Sequence, residues 1–153
     1  RATAESMAYD DAFAAAPHLT LHTQVCPRFV EFVEAGVTGG EELLEVAHEY
    51  LDPLVEAGVD TLVLGCTHYP LLTGVISYVM GDAVTLVSSA EECAKDVYKM
   101  LASTGLMREG GEASYTFLTT GAPQEFEAIG RRFLGPEMIA ASQFAGGLVA
   151  GGR

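Results

Sequence analysis

A thiol and an imidazole stand two residues apart in the run Leu62-Val63-Leu64-Gly65-Cys66-Thr67-His68-Tyr69-Pro70-Leu71-Leu72. A cysteine can abstract a weakly acidic carbon-bound proton near neutral pH. Its reference pKa of about 8.5 is readily lowered by a helix N-terminus or a neighbouring cation. Histidine titrates in the same range and can assist the transfer. Thr67, between them, offers a hydroxyl to an anionic group. To do this work the run must be a buried strand that stops at Gly65, followed by a helix opened by Pro70. In open α/β sheets ligands bind at the carboxyl ends of strands. Backbone N–H groups at the start of the next helix would favour both a thiolate and a bound anion.

The surrounding elements suit that placement. Residues 2–15 are rich in helix formers, with no breaker before Pro17. Leu19, Leu21, Thr23 and Val25 alternate with Thr20, His22, Gln24 and Cys26, which predicts a strand. Pro27 opens a short helix through Val33, with Gly36 beyond its end. In the next helix Leu43, Leu44, Ala47, Tyr50, Leu51 and Leu54 form an apolar stripe opposite Glu42, Glu45, Glu49, Asp52 and Glu56. Pro53 should kink this helix or restart it with Asp52 as a cap. Val59 to Leu64 then reads as a strand buried on both faces.

Beyond the Cys-Thr-His segment, Pro70 to Met80 reads as a helix and Val84 to Val87 as a strand. Ser88-Ser89-Ala90-Glu91-Glu92 offers two overlapping capping boxes for a helix running to about Ser103. A polar loop spans Gly105 to Ala113. A strand at Tyr115 to Thr119, a helix at Pro123 to Phe133 and a short strand at Met138 to Ala141 follow. The glycine-rich tail, Gly146 to Arg153, should fray. Strands alternating with helices specify an α/β fold with a largely parallel sheet.

Composition narrows the function. Eight Lys and Arg against 21 Asp and Glu give a net charge of −13 over 153 residues. That field opposes nucleic acid and anionic membrane as partners. Cys26, Cys66 and Cys93 make neither a disulfide framework nor a Cys-x-x-Cys pair. No apolar run approaches a membrane span and no signal-peptide pattern opens the chain, so the expected location is cytoplasmic. The first residue, Arg1, leads us to expect preceding sequence. Cys26 and Cys93 read as small buried hydrophobes, and the acids at 42–56 as a solvated face. A zinc site from His22, Cys26, Cys66 and His68 has suitable ligand types but fits no standard spacing.

The run Gly65-Cys66-Thr67-His68-Tyr69-Pro70 closely resembles the active-site signature of the glutamate racemases, in the aspartate/glutamate racemase family. The segment from Cys26 to Glu34 resembles a second family stretch. The resemblance implies cofactor-independent inversion of glutamate by two cysteines facing each other across the α-carbon. Inversion needs an acid opposite the base, because returning the proton to the same face restores the starting enantiomer. Cys66 matches one of the two cysteines. Thr67 and His68 match substrate contacts, with His68 also assisting proton transfer. Glu34 matches an acid near the histidine; a solvated acid at a helix end is the other reading of it.

The resemblance further implies D-glutamate supply for peptidoglycan, and hence a part in cell-wall biogenesis and cell shape. It implies no cofactor or metal, and a homodimer when the enzyme is intact. The family's other cysteine lies in a Cys-Asn-Thr-Ala-like segment and its catalytic aspartate in an Asp-Ser-Gly-like one; neither segment is present here. The chain therefore matches only about the C-terminal half of the family enzyme, whose fold has two similar α/β domains. Residues 1–88 would be the second domain without its opening strand. Residues 89–153 would be the segment returning to the first, leaving the missing N-terminal half as the chain's natural partner and this chain alone inactive. A racemase for aspartate or another small acid is the nearest alternative. His68 favours glutamate, since aspartate-specific relatives differ there. A non-catalytic binding fragment is the third reading.

Overall fold

The computed structural model describes residues 5–144. They divide into two compact units, one through Met107 and the other from Arg108. The first contains α1 (Ala8–Phe13), α2 (Pro27–Ala35), α3 (Glu41–Glu56), β1 (Thr61–Leu64), a 3-10 turn (Tyr69–Leu72), α4 (Thr73–Met80), β2 (Thr85–Ser88) and α5 (Ser89–Ser103). The second contains β3 (Phe117–Thr119), α6 (Pro123–Leu134), a 3-10 turn (Gly135–Glu137) and β4 (Ala141–Gln143). Each unit has one parallel strand pair. Thr61 to Leu64 of β1 lie opposite Thr85 to Ser88 of β2, and Phe117 to Thr119 of β3 opposite Ala141 to Gln143 of β4. This is the expected α/β alternation.

The core of the first unit follows from the apolar stripes. Phe29, Phe32 and Val33 of α2 meet Leu43, Val46, Ala47, Leu51 and Leu54 of α3, with Leu64, Leu72, Ile76 and Met80 closing the cluster. Edge-on contacts of Phe29 with Tyr50 and Tyr69, at centroid distances of 5.4 and 5.6 Å, add directional packing. Gly36 ends α2 at φ 79°, a left-handed conformation in which its N–H caps the carbonyls of Phe32 and Val33. In the second unit Met138 is buried, packed where a side chain at Gly130 would otherwise stand.

Several expectations need correction. Leu19 to Cys26 forms no strand: the alternation is there, but no neighbouring strand offers a ladder, and most of the segment is exposed. Helix α3 runs through Pro53 without a restart. In the last turn the missing proline N–H costs a single bond, and Ala57 N–H still reaches the Pro53 carbonyl at 3.1 Å. Strand β1 is not buried on both faces. Leu64 joins the core and Leu62 packs against it, whereas Val63 on the opposite face is 42% exposed. The helix expected from Pro70 splits into the 3-10 turn and α4. The last strand begins at Ala141, after Met138 rather than with it. The glycine-rich tail from Gly146 lies outside the described residues.

The start of α5 shows how two serines divide the work. Ser88 caps the helix by accepting the Glu91 N–H at 3.3 Å, as one of the two capping boxes predicts. Ser89 does something else. Its hydroxyl donates at 2.9 Å to the Leu64 carbonyl at the end of β1.

Candidate active site

The chain leaves β1 after Leu64 and turns through Gly65, Cys66, Thr67 and His68 before the 3-10 turn. No α-helix begins directly behind Cys66. A single 3-10 turn carries only a small summed dipole, so the helix-terminus support expected for the thiolate is weaker than a full helix would give. What stands beside the thiol is the imidazole. His68 Nδ1 lies 3.9 Å from Cys66 Sγ and 3.2 Å from Thr67 Oγ1. The other ring nitrogen, Nε2, lies 3.5 Å from Glu34 Oε1 in the last turn of α2.

Thiol, imidazole and carboxylate therefore form a row, with the ring able to accept from one side and donate to the other. Residues from two distant stretches of sequence, 34 and 66–68, meet here. His68 is the most enclosed member of its ion pair, 22% exposed against 50% for Glu34. Cys66 is half-buried and Thr67 exposed, a placement that leaves both open to a ligand. A cleft of about 900 Å³ in the first unit reaches Cys66. It runs between the extended 18–26 segment and the flank of β1, with Tyr9 and Tyr69 on its wall. Tyr9 presses so closely on Gly65 that a side chain there would collide with its hydroxyl.

The other cysteines fall elsewhere. Cys26 is buried, as expected, and burial, reinforced by the nearby Cys66, pushes its thiol up to about 12. Cys93 is exposed, contrary to expectation, because it sits on α5, which buries none of its residues. Among the described residues no three His, Cys, Asp or Glu side chains gather as metal ligands, so His22, Cys26, Cys66 and His68 do not assemble the zinc set. Tyr69, which packs on Phe29, also makes a polar bond. Its hydroxyl donates to the Cys26 carbonyl at 3.1 Å, across 43 residues of sequence. No local signal could have announced it.

Burial also raises the Tyr69 phenol to about 12, with Cys26 and Cys66 adding to the effect. Both groups are thus held neutral by the fold beyond their ordinary values of 9.0 and 10.0. Their contribution to stability is complete below pH 9. It is lost as pH rises toward 12, because the unfolded chain gives up these protons first. Alkaline unfolding followed by far-ultraviolet circular dichroism should therefore set in above pH 9. Cys26→Ala should flatten the fall in stability between pH 9 and 10, leaving the Tyr69 contribution above it.

No family model matches the chain. A glutamate racemase of Acidothermus cellulolyticus is 62% identical over 139 residues, which cover 90% of this chain and 53% of that protein. One from Beutenbergia cavernae is 60% identical over 148 residues, covering 90% and 51%. Over the matched length the chain is similar in sequence to glutamate racemases. Its fold is similar to theirs as well. The crystal structure of the Francisella tularensis glutamate racemase in complex with D-glutamate matches with a TM-score of 0.83 at 29% identity, over 94% of this chain and 54% of that one. The Thermus thermophilus glutamate racemase, in complex with β-chloro-D-alanine, matches with a TM-score of 0.79 at 35% identity, over 94% and 53%. The chain thus spans about half the length of the relatives it matches. No described helix is long and apolar enough to cross a membrane.

Proposed function

We propose that this chain is the C-terminal portion of a cofactor-independent glutamate racemase and supplies one of its two proton-transfer groups. The observation that carries the reading is the Cys66–His68–Glu34 row at the end of a parallel strand. In one direction the Cys66 thiolate takes the α-proton of glutamate, and the thiol opposite, from the missing half, delivers a proton to the other face. In the reverse direction the roles exchange. His68 assists by accepting or returning the Cys66 proton, and Glu34 orients the imidazole and balances its charge when protonated. Thr67 contributes its hydroxyl to a carboxylate of the substrate. A local donor of this kind is needed because the net charge of −13 repels an anionic substrate at long range.

In the whole enzyme residues 1–88 belong to the second domain and residues 89–153 return to the first. The compact units divide later, after Met107; the proposal concerns which domain of the whole enzyme each segment joins. The intact protein is a cytoplasmic homodimer that supplies D-glutamate for peptidoglycan. The bound D-glutamate of the Francisella relative supports glutamate as the substrate.

The test is turnover in deuterium oxide by the protein extended to the full length of its relatives. L-Glutamate should give D-glutamate, with solvent deuterium entering the α-carbon of the product ahead of the recovered substrate, as two opposed acid/base groups require. Cys93→Ala should leave this activity largely intact, since the exposed thiol stands apart from the row. A folded full-length protein that neither interconverts the enantiomers nor exchanges the α-proton refutes the assignment.

A further inference from the structure

The turn that carries Cys66, Thr67 and His68 has little regular structure to hold it. Between the end of β1 and the 3-10 turn, its backbone makes short-range bonds, such as Gly65 N–H to Val63 at 3.0 Å and Leu71 N–H to His68 at 3.1 Å. Yet the imidazole must keep one nitrogen toward the thiol and the other toward Glu34. Tyr69 follows His68 directly, and two contacts fix it. Its ring meets Phe29 edge-on, perpendicular at 5.6 Å, and its hydroxyl donates to the Cys26 carbonyl at 3.1 Å.

Cys26 is the N-cap of α2, and Glu34 lies in the last turn of the same helix. Adjacent residues of the turn thus grip one rigid rod at two points, separated by about 12 Å at a rise of about 1.5 Å per residue. The Cys26 carbonyl also accepts the Phe29 N–H at 3.2 Å, so the Tyr69 bond uses its second lone pair and costs the helix nothing.

We propose that Tyr69 is a positioning residue for proton transfer: its hydroxyl on the Cys26 carbonyl sets the turn against α2, and thereby the alignment of His68 with Glu34 and Cys66. The inference rests on the racemase reading for its kinetic consequence, but not for its geometry. The phenol is a hydrogen-bond donor throughout the neutral range, since its ordinary value already lies at 10.0 and burial pushes it up to about 12.

Tyr69→Phe keeps the ring and deletes the bond. In the full-length protein it should lower kcat about tenfold while KM stays within about twofold, since alignment rather than ground-state binding is lost. It should also change the rate of Cys66 alkylation by iodoacetamide, which requires no glutamate. Phe29→Leu, which trims the ring contact and keeps the bond, is the control for a merely structural effect. It should lower Tm with less effect on kcat. A double-mutant cycle supplies the decisive comparison. Tyr69→Phe should cost little more on a Glu34→Gln background, whereas Phe29→Leu should add independently.

Additivity of Tyr69→Phe with Glu34→Gln, or unchanged kcat and alkylation in a folded Tyr69→Phe protein, overturns the proposal. If Tyr69→Phe does not fold, the proposal is overturned as well, because the hydroxyl would then serve the core. A wild-type protein that fails to racemise while its Cys66 alkylation still responds to Tyr69→Phe in this non-additive way refutes the function and leaves the positioning role standing.

Discussion

Cys66→Ala in the full-length protein should abolish measurable interconversion of the glutamate enantiomers in both directions. A positioned general acid or base contributes about 10²–10⁴-fold to a proton transfer. In the proposed mechanism one group serves as base in one direction and as acid in the other, so neither direction should escape its loss. Cys66→Ser should be almost as damaging, because a hydroxyl ionises far less readily than a thiol and His68, at 3.9 Å, cannot make up the difference. The fold should survive both changes, since Cys66 is half-buried and lies outside the central apolar cluster. Initial rates followed by circular dichroism, with a melting curve to verify folding, check the outcome. Near wild-type turnover by Cys66→Ala would remove the thiol from the mechanism.

The 153-residue chain by itself should not racemise glutamate at any concentration. In the proposed mechanism it supplies one proton-transfer row, and the opposing cysteine is expected from a segment outside it. Its surface leads to the same expectation. Helices α5 and α6 bury none of their residues, and Tyr98, Met100 and Leu134 are 62%, 55% and 48% exposed. Apolar side chains so placed seek a partner and favour association. An apolar-surface dye should brighten with the isolated chain and dim when the N-terminal half is added as a separate polypeptide, if the two halves associate. Robust racemisation by mass-verified chain alone would defeat the two-cysteine mechanism as assigned. A compact, dye-silent monomer would defeat the docking of these helices on the missing half.

How much of this could be read from sequence differs between elements for physical reasons. The stripe of α3 was legible because a helix buries residues at a fixed local spacing, and Leu43, Ala47, Leu51 and Leu54 are buried as that spacing requires. Leu19 to Val25 show an equally regular local pattern, yet a strand needs a partner, and partners are not encoded locally. The motif at Gly65 to Pro70 marked the site because its chemistry is contiguous. Glu34 came from resemblance alone, and its distance from His68 needed the fold. Tyr69 was legible only as an aromatic that packs. That its hydroxyl reaches back 43 residues to a helix cap depends on a three-dimensional path that no window of sequence contains. The two serines before α5 divide in the same way. The cap by Ser88 is a local event, and the Ser89 bond to Leu64 is not.

That last bond also sets an order in time. Leu64 is the final residue of β1, and the hydroxyl that engages its carbonyl belongs to a residue made 25 positions later. Cys26, which anchors Tyr69 from the other side, has by then long been synthesised. On a growing chain the thiol-bearing turn therefore gains one anchor as soon as Tyr69 emerges, and waits for the second. At about 5–20 residues per second, the wait lasts on the order of one to four seconds. During that interval the end of the strand lacks its hydroxyl partner, and the turn is held from the α2 side alone.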